Sequence, residues 1–375
     1  MSSFEDLRTP ALVVDIDKVK KNCQEMAERC KRLGVQLRPH MKTHKTLEAG
    51  YLMTNGTKRC IVVSTLAEAE FFADGGFDDI TYGRLITPNC IPHAAKLLEQ
   101  LQMFHLFIDN DVHLQALKNH PPPEGKKWSV FMKVDCGYCR AGVKYNDPYC
   151  VTLAKEIISS PLLEFKGIYI HTGNSYQAQN ESQIKEYSGS SWKQLNELAS
   201  RLKEAGIECP TVGVGSTPTC SKPAEDVLQS ITEFHPGNYV FYDYQQVLVG
   251  SCQQEDVAIR VLTRVIGHYP DRGYLLVDCG FTALSHDGMK GRLPDKPFCL
   301  IDGHPELKMV KFTQEIGTLK AANEDEPLNY SKYPIGSILS IIPYHSCATA
   351  ALHPVYFVHD KENKIIEKWT PNRGW

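Results

Sequence analysis

The sequence lacks an apolar run long enough to cross a membrane, and its first residues, Met1 to Pro10, are too polar for a signal peptide. Basic residues are not in excess, since 41 Lys and Arg stand against 44 Asp and Glu for a formal net charge of −3. Internal repeats and low-complexity segments are also missing. These absences predict a cytoplasmic globular protein that binds neither membranes nor nucleic acids.

Cysteine is plentiful, but its 13 copies follow no framework spacing. A chain of 375 residues can bury a core without covalent crosslinks, so we expect reduced thiols. One Cys-x-x-Cys pair, Cys136 and Cys139, has no second pair to complete a four-ligand site. It is therefore weak support for a redox or zinc role.

Short β-branched runs alternate with amphipathic stretches from about residue 35 to 243, which is typical of repeated βα units. Eight units in succession favour a closed (β/α)8 barrel of the TIM type over an open sheet. Helices are predicted at 66–73 and 181–205, among others. The predicted barrel strands are 35–42, 60–64, 79–82, 104–109, 128–134, 165–171, 211–215 and 233–239.

Strands with little helix follow residue 251. The sequence therefore predicts an α/β protein with a barrel in residues 1–250 and a C-terminal β domain in residues 251–375. The pattern leaves open whether the opening strand, 11–16, joins the barrel or the β domain. The predicted strands of the β domain are 257–268, 274–279, 308–314, 338–344, 355–358 and 365–369.

A lysine lies where the first predicted barrel strand ends, in the run Arg38-Pro-His-Met-Lys42. Period-two alternation places Arg38, His40 and Lys42 on one face of the strand. Catalytic groups of such barrels come from the carboxyl ends of the strands, and burial or a neighbouring cation would lower the pKa of Lys42 for Schiff-base chemistry. A basic surface loop is the alternative, and it is the commoner meaning of an isolated lysine.

Two glycine-containing segments, 213–219 and 235–239, follow the seventh and eighth predicted strands. Barrels of this type commonly bind a phosphate there. Gly237 would let the backbone approach an anion closely, while Thr217 and Asn238 would add a hydroxyl and an amide. Either segment alone is better explained as an ordinary turn. Both together, with a lysine at the first strand, suggest pyridoxal phosphate.

Strands five and six end in further candidates for holding a cofactor. Arg140 could hydrogen-bond a cofactor oxygen, with a solvated surface arginine as the alternative. His171 and Tyr176 lie at the predicted rim and could hold a pyridine ring. Tyr169 could do the same, although filling the barrel is a stronger alternative for it.

A possible metal clip lies near the C-terminus, where His345 and Cys347 are two residues apart. On an extended chain their side chains would project from one face. Imidazole with thiolate prefers zinc, and two protein ligands leave positions open for water and substrate. In isolation this spacing is weak and more often marks a packed strand end.

Taken together, the motifs RPHxKTHK, KxDxGxxRxG, HxGNxY, GSTPT and HPGNY cover nearly the whole chain in this order. The set resembles fold-type III pyridoxal-phosphate enzymes. With PYHSCAT near the end, the sequence more narrowly resembles the zinc-dependent D-serine dehydratases of the alanine-racemase superfamily. The resemblance implies cofactor contacts and zinc ligands at Arg140, Tyr169, Tyr176, Thr217, Gly237, Asn238, His345 and Cys347.

For the reaction, the resemblance implies that D-serine is converted to pyruvate and ammonia, with Lys42 as the Schiff-base lysine and the base for the Cα proton. Zinc would assist departure of the hydroxide, D-threonine and other β-hydroxy D-amino acids are possible further substrates, and the β domain of a homodimer would close the active site. Two differences from alanine racemase are His235, where racemases have an arginine, and Gly280-Phe-Thr282, where they carry a second catalytic tyrosine. Without that tyrosine, racemisation is less expected.

Three alternatives stay open. D-threonine aldolases share the cofactor site but carry an Asp where Cys347 stands, which suits the harder Mg²⁺ or Mn²⁺. A non-catalytic pyridoxal-phosphate carrier is a second alternative, although such carriers lack a C-terminal β domain. A binding scaffold without any cofactor is the third.

Overall fold

The structure is a computed structural model that describes residues 3–289 and 296–375. The chain divides into two compact units, which we call the barrel unit and the β unit. The barrel unit comprises Cys23–Tyr239, Val249–Ser251 and Asn372–Trp375. The β unit comprises Met1–Asn22, Val240–Leu248 and Cys252–Pro371.

The strands of the described residues are numbered in chain order. They are β1 (Ala11–Asp15), β2 (Gln36–Leu37), β3 (Ile61–Val63), β4 (Asp79–Leu85), β5 (Met103–Ile108), β6 (Trp128–Asp135), β7 (Val143–Lys144), β8 (Leu163–Tyr169), β9 (Thr211–Val214), β10 (Glu233–Phe234), β11 (Ile259–Tyr269), β12 (Tyr274–Val277), β13 (Cys299–Ile301), β14 (Leu307–Phe312), β15 (Gly317–Ala321), β16 (Ile338–Pro343), β17 (Tyr356–His359) and β18 (Ile365–Trp369).

The α-helices are numbered in the same way, over the same described residues. They are α1 (Ile16–Leu33), α2 (Leu47–Met53), α3 (Leu66–Asp74), α4 (Ile91–Gln100), α5 (Asp111–Lys118), α6 (Tyr149–Ser159), α7 (Glu181–Glu204), α8 (Thr217–Ser221), α9 (Tyr244–Val249), α10 (Phe281–Leu284) and α11 (Ser346–Leu352). No helix in the described ranges is both long and apolar enough to cross a membrane. All thirteen cysteines lie in those ranges and are free thiols.

The barrel unit is built on parallel strands in the order β2-β10-β9-β8-β6-β5-β4-β3. The two ends of this order meet at a parallel bridge between His40 and Val62, where the Val62 N–H donates to the carbonyl of Pro39 at 2.9 Å. The predicted α/β barrel is confirmed. Its strands place their carboxyl ends on one rim, as parallel neighbours must.

The first and last barrel strands are much shorter than predicted. β2 ends at Leu37 instead of continuing to residue 42, and β10 ends at Phe234. The reason is chemical, since Pro39 and Pro236 have no N–H for a strand ladder. Lys42 therefore lies in a 3-10 turn, Met41–Thr43, and the predicted strand face shared by Arg38 and Lys42 is wrong.

Inside the barrel, the guanidinium of Arg38, directly after β2, contacts both the neighbouring strand β10 and the more distant strand β4. Its Nε donates to Glu233 at 3.0 Å and its Nη1 to Asp79 at 2.5 Å, and its side chain is 3% exposed. Burial by itself would raise the pKa of Asp79, but His105 and the charge of Arg38 hold it well below its ordinary value. Burial raises the pKa of Glu233 instead, so Asp79 is the carboxylate whose negative charge offsets that of the buried Arg38.

The β unit contains the opening strand. β1 pairs antiparallel with β11 and parallel with β17, so the strand whose placement the sequence left open lies inside this sheet. The sheet runs in the order β14-β15-β12-β11-β1-β17-β18, and β16 pairs with both β11 and β13. The apolar side chains of β1 are fully buried, which explains its run of Val and Leu.

We predict that Arg38→Ala lowers the free energy of unfolding by about 3–5 kcal/mol, because it leaves the buried carboxyl groups of Asp79 and Glu233 without their cationic partner. Urea unfolding followed by tryptophan fluorescence measures the change. The matched control is Arg32→Ala, which removes an exposed pair with Glu225 and should cost about 1 kcal/mol or less. Equal losses in the two variants would contradict the structural role of Arg38.

Candidate cofactor and metal sites

Lys42 is presented on a short turn at the carboxyl end of β2. The turn is capped by the imidazole of His40, whose Nδ1 accepts the Lys42 N–H at 3.3 Å. The neighbouring Lys45 forms an ion pair with the buried Glu68, at 3.0 Å between Nζ and Oε1. Lys42 is exposed and, among the described residues, its amine has no carboxylate within ion-pair distance. It is therefore the lysine of this segment that is available for covalent chemistry.

Burial and the positive charges around them keep the imidazoles near Lys42 neutral. Burial, followed by the positive charges of Lys42, Lys133 and Arg140, lowers the pKa of His171 well below its ordinary value. Burial and Lys42 act on His40 in the same direction. The predicted rim residues Lys42, Arg140 and His171 are therefore close enough to affect one another. We call this group the positive mouth, and its charge comes from Lys42 and Arg140 because the histidine is neutral.

Tyr138 organises the loop that carries Arg140. The guanidinium of Arg140 lies 5.0 Å above the Tyr138 ring, and the ring of His171 meets the same tyrosine edge-on at 5.6 Å. The loop is anchored because Asp135 accepts the Tyr138 N–H at 2.9 Å. A methyl group on Gly173 would come within 2.3 Å of the Tyr138 ring, so glycine at this position lets the ring lie against the backbone. Sequence reasoning missed Tyr138.

Tyr169 fills the barrel interior and is 5% exposed. Its ring lies 4.5 Å from Phe107 and 4.1 Å from His235, centroid to centroid. The amine of Lys133 sits 4.2 Å from the centre of the same ring. Ring contacts on several sides therefore support the packing alternative for Tyr169.

Lys133 is a buried lysine that the sequence reasoning also missed. Burial, with the nearby charge of Arg140, lowers its pKa to about 7. No carboxylate among the described residues pairs with its amine, which instead faces aromatic rings. The available signal was a lysine inside an apolar run, since the other residues of 130–134 are apolar and buried.

The two segments predicted to hold a phosphate lie against each other. The Gly237 N–H donates to the hydroxyl of Thr217 at 3.3 Å. Thr217 opens the five-residue helix α8, and Asn238 is buried at the start of a 3-10 turn. A methyl group on Gly237 would come within 2.8 Å of the His40 carbonyl, so glycine is what lets this backbone approach the Lys42 turn.

Several buried polar atoms beside these segments have no hydrogen-bond partner in the described residues. They are Thr172 Oγ1, Asn174 Oδ1 and His235 Nδ1. Such atoms are costly unless a ligand or water satisfies them. Tyr176 lies half-buried in the same 3-10 turn as Asn174, Gly173–Gln177. The positive mouth, the glycine-lined backbone and these unsatisfied atoms fit a polar anionic cofactor such as pyridoxal phosphate.

In the β unit, the predicted metal pair does not lie on an extended chain. β16 ends at Pro343, His345 is the residue before α11, and Cys347 is in the first turn of that helix. The helix starts here because Asp243 accepts the Ser346 N–H at 2.8 Å. The two side chains nevertheless meet, since Cys347 hydrogen-bonds the imidazole of His345.

The other side of the His345 ring contacts a carboxylate. Nδ1 of His345 lies 2.6 Å from Asp287 Oδ2. Burial disfavours the imidazolium, but the Cys347 charge and the hydrogen bond to Asp287 raise the pKa of His345 well above its ordinary value. Among the described residues no three His, Cys, Asp or Glu side chains form a metal-sized group. The site therefore offers one imidazole and one thiolate, a donor set that suits zinc with open positions.

Comparison with known proteins agrees with this architecture. The family model described as alanine racemase, N-terminal domain, matches residues 14–245, and a serine dehydratase domain model matches residues 258–359. The solved structure of D-threo-3-hydroxyaspartate dehydratase from Delftia sp. HT23 superposes with a TM-score of 0.93 at 30% identity, covering 100% of both chains. Alanine racemase from Clostridium difficile 630 shares the fold alone, at 13% identity and a TM-score of 0.67. The fold is that of the alanine-racemase-like enzymes.

Curated relatives narrow the class further. A D-serine dehydratase from Dictyostelium discoideum is 39% identical over 99% of this chain and 98% of its own. A second, from Saccharomyces cerevisiae, is 33% identical over 100% of this chain and 97% of its own. The chain belongs to the D-serine dehydratase family of alanine-racemase-like, fold-type III pyridoxal-phosphate enzymes.

We predict that Gly237→Ala weakens pyridoxal-phosphate binding by about tenfold or more, because displacing the Lys42 turn from the added methyl group costs about 1–3 kcal/mol. Absorbance titration of the cofactor-free protein measures the dissociation constant. Gly189→Ala is the control, since its methyl group would meet nothing closer than 3.8 Å in helix α7. Unchanged affinity for pyridoxal phosphate in Gly237→Ala would contradict the predicted phosphate site at residues 213–219 and 235–239.

A second prediction concerns the pH dependence of stability in the cofactor-free protein. The pKa of Lys133 is about 7 when folded, against an ordinary value of 10.5, so between these values the unfolded chain binds the extra proton. Stability should therefore rise with pH across this window, by at most about 1.4 kcal/mol per pH unit relative to Lys133→Met. Urea unfolding at pH 7, 8 and 9 tests this, and parallel profiles for the two proteins would contradict it.

Proposed function

We propose that the chain dehydrates D-serine to pyruvate and ammonia, using pyridoxal phosphate on Lys42 and zinc on His345 and Cys347. The observation that carries the proposal is that one chain of this family has two sets of residues. In the barrel unit, Lys42 lies beside the glycine-containing segments 213–219 and 235–239, and in the β unit the imidazole of His345 meets the Cys347 side chain. A barrel with Lys42 and the glycine-containing segments alone would also suit a non-catalytic pyridoxal-phosphate carrier.

The residues of the barrel unit have distinct roles in this proposal. Lys42 would hold the cofactor covalently until the substrate amine takes its place, and the Nζ released in that exchange would accept the Cα proton of the substrate. Pyridoxal phosphate, when bound, takes up the negative charge that forms at Cα. The phosphate would be held by Thr217, Gly237 and Asn238, and Arg140 would donate to the ring oxygen. The remaining expected contacts are Tyr169, His171 and Tyr176.

The neutral histidines have a consequence for this chemistry. Because the pKa values of His40 and His171 lie well below the ordinary value, both imidazoles stay neutral. Neither therefore adds a positive charge to those of Lys42 and Arg140. A neutral imidazole can accept or donate a hydrogen bond to the substrate or cofactor without forming an ion pair. His171 would thereby orient its partner while leaving proton transfer to Lys42.

The metal proposal rests on the ligand types and on a relative. A variant of D-threo-3-hydroxyaspartate dehydratase, 30% identical to this chain, has a solved structure described as a metal-free form. In this chain Cys347 supplies a soft thiolate, which favours zinc over Mg²⁺ or Mn²⁺ and dehydration over aldol cleavage. Zinc lowers the pKa of a bound water from ~15.7 to roughly 7–9, which makes hydroxide a better leaving group by at most ~9–12 kcal/mol. A general acid would contribute roughly 3–5 kcal/mol.

Substrate range and assembly extend the proposal. A D-threo-3-hydroxyaspartate dehydratase from Delftia sp. (strain HT23) is 32% identical over 98% of each chain, which supports β-hydroxy D-amino acids, including D-threonine, as the wider substrate class. A homodimer is inferred from the family resemblance, and a cytoplasmic location from 13 cysteines without framework spacing. Sedimentation of the purified protein would test the dimer.

Pyruvate release from D-serine and from L-serine, with chelator and with added zinc, tests the function. We expect release from D-serine alone, loss of release under chelator and recovery with zinc, since expulsion of hydroxide depends on the metal. Release of glycine from D-threonine, with none of pyruvate from D-serine, would instead establish an aldolase. Full activity under chelator would refute the zinc role.

The matching variant is Cys347→Ala. It should keep cofactor absorbance, because Lys42 is unchanged, and should lose at least about a hundredfold in dehydration rate, from the several kcal/mol that a metal contributes. Cys90→Ala is the control, since Cys90 is a half-buried free thiol outside both residue sets. Dehydration by Cys347→Ala at the control rate would contradict the assignment.

A further inference from the structure

We infer that Asp287 is a positioning residue for the metal site: it holds the His345 imidazole through Nδ1 so that Nε2 is presented to zinc. The inference rests on the proposed function, because His345 must first be a ligand. Nothing in the sequence pointed to Asp287, which lies 58 residues before His345 in the chain.

The contact has the geometry of a charge-assisted hydrogen bond. The distance between Nδ1 and Oδ2 is 2.6 Å, at the short end for a nitrogen donor and a carboxylate. With a negative acceptor at Nδ1, the proton of the neutral ring belongs there and the lone pair is left on Nε2, which is the form that binds a metal.

The segment around Asp287 is built in a way that places this carboxylate. Ser285 adopts the left-handed region, with a φ of 68°, and its hydroxyl accepts the Asp287 N–H at 3.1 Å. His286 stacks on Phe281 at 4.3 Å. A methyl group on Gly288 would come within 2.4 Å of the Tyr344 ring. Contacts on both sides of Asp287 therefore hold the chain in one conformation.

The same elements tie this segment to the helix that carries Cys347. The hydroxyl of Thr349 donates to the carbonyl of Leu284 at 2.9 Å, and His353 contacts the carbonyl of Ala283 at 2.9 Å. Thr349 and His353 both lie in or directly after α11. The carboxylate, the imidazole and the thiolate are thus held by one hydrogen-bonded group of elements within the β unit.

Asp287 is better suited to orienting His345 than to binding the metal. The two nitrogens of an imidazole point away from each other, so a carboxylate bonded to Nδ1 lies on the far side of the ring from a metal on Nε2. Outer carboxylates of this kind raise the basicity of the ligand and restrict its rotation, and their removal typically weakens metal binding 10–100-fold. A surface ion pair without a metal role would leave zinc affinity unchanged.

The test measures zinc affinity directly, using the full-length, cofactor-loaded protein stripped of metal and titrated with zinc against a chromophoric chelator. We expect Asp287→Ala to raise the zinc dissociation constant about 10–100-fold. Asp287→Asn keeps an acceptor for Nδ1 but loses the charge, so its loss should be intermediate. Asp271→Ala is the control, because that carboxylate is 73% exposed in the same unit and, among the described residues, its ion pair is with its neighbour Arg272.

Two further measurements separate positioning from folding and from the proposed function. The metal-free forms of Asp287→Ala and Asp271→Ala should both unfold cooperatively, at temperatures well above that of the titration, so that a loss of zinc affinity cannot come from unfolding. Zinc affinity of Asp287→Ala within threefold of the wild type overturns the inference alone. Zinc affinity that is unchanged in Cys347→Ala overturns the metal site itself, and the inference with it.

Discussion

The barrel unit depends on one buried cation, Arg38, which stands at the first residue after β2. Its guanidinium reaches Asp79 at the start of β4 and Glu233 at the start of β10, so it joins three strands from the inside. Removing water from these charges is costly, and the arrangement is stable only while all three are present. Because Pro39 and His40 follow immediately, the position of Arg38 also determines where the chain turns toward Lys42.

This constraint connects the interior of the barrel to the chemistry at its rim. The turn that carries Lys42 is held from below by Arg38, from the side by the bridge between His40 and Val62, and from the other side by the close approach of Gly237. A reactive amine needs such support, since a shift of about 1 Å can cost a hundredfold in rate. The same rim carries two charged basic side chains, Lys42 and Arg140, which favours an anionic ligand.

The two candidate sites differ in how they are built. The residues proposed to hold the cofactor follow the ends of several barrel strands, so their arrangement depends on closure of the whole sheet. The metal pair is local, since His345 and Cys347 are two residues apart, and it needs only the start of one helix. Its outer partner is not local, because Asp287 reaches it across the β unit. Local spacing could therefore suggest the ligands but not the group that orients them.

Most of the fold was predictable because each barrel strand is a β-branched or aromatic run ended by a polar or glycine residue. The strands that failed were the ones interrupted by proline: the predicted 35–42 is two residues long, as is the predicted 233–239. In the β unit the prediction omitted β13 and β15, which are three and five residues long. Runs so short give little periodic signal, and tertiary pairing decides them.

The sequence alone determined the order of strands and helices, the lysine, the glycine-containing segments and the pairing of imidazole with thiolate, since these depend on residue type and spacing. Only the tertiary structure decided that Lys133 is buried beside Tyr169, that Arg38 is an interior ion-pair partner instead of a rim residue, that β1 belongs to the β unit, and that Asp287 meets His345. The physical reason is that burial and long-range contacts depend on which strands become neighbours, and no local pattern of residues encodes that.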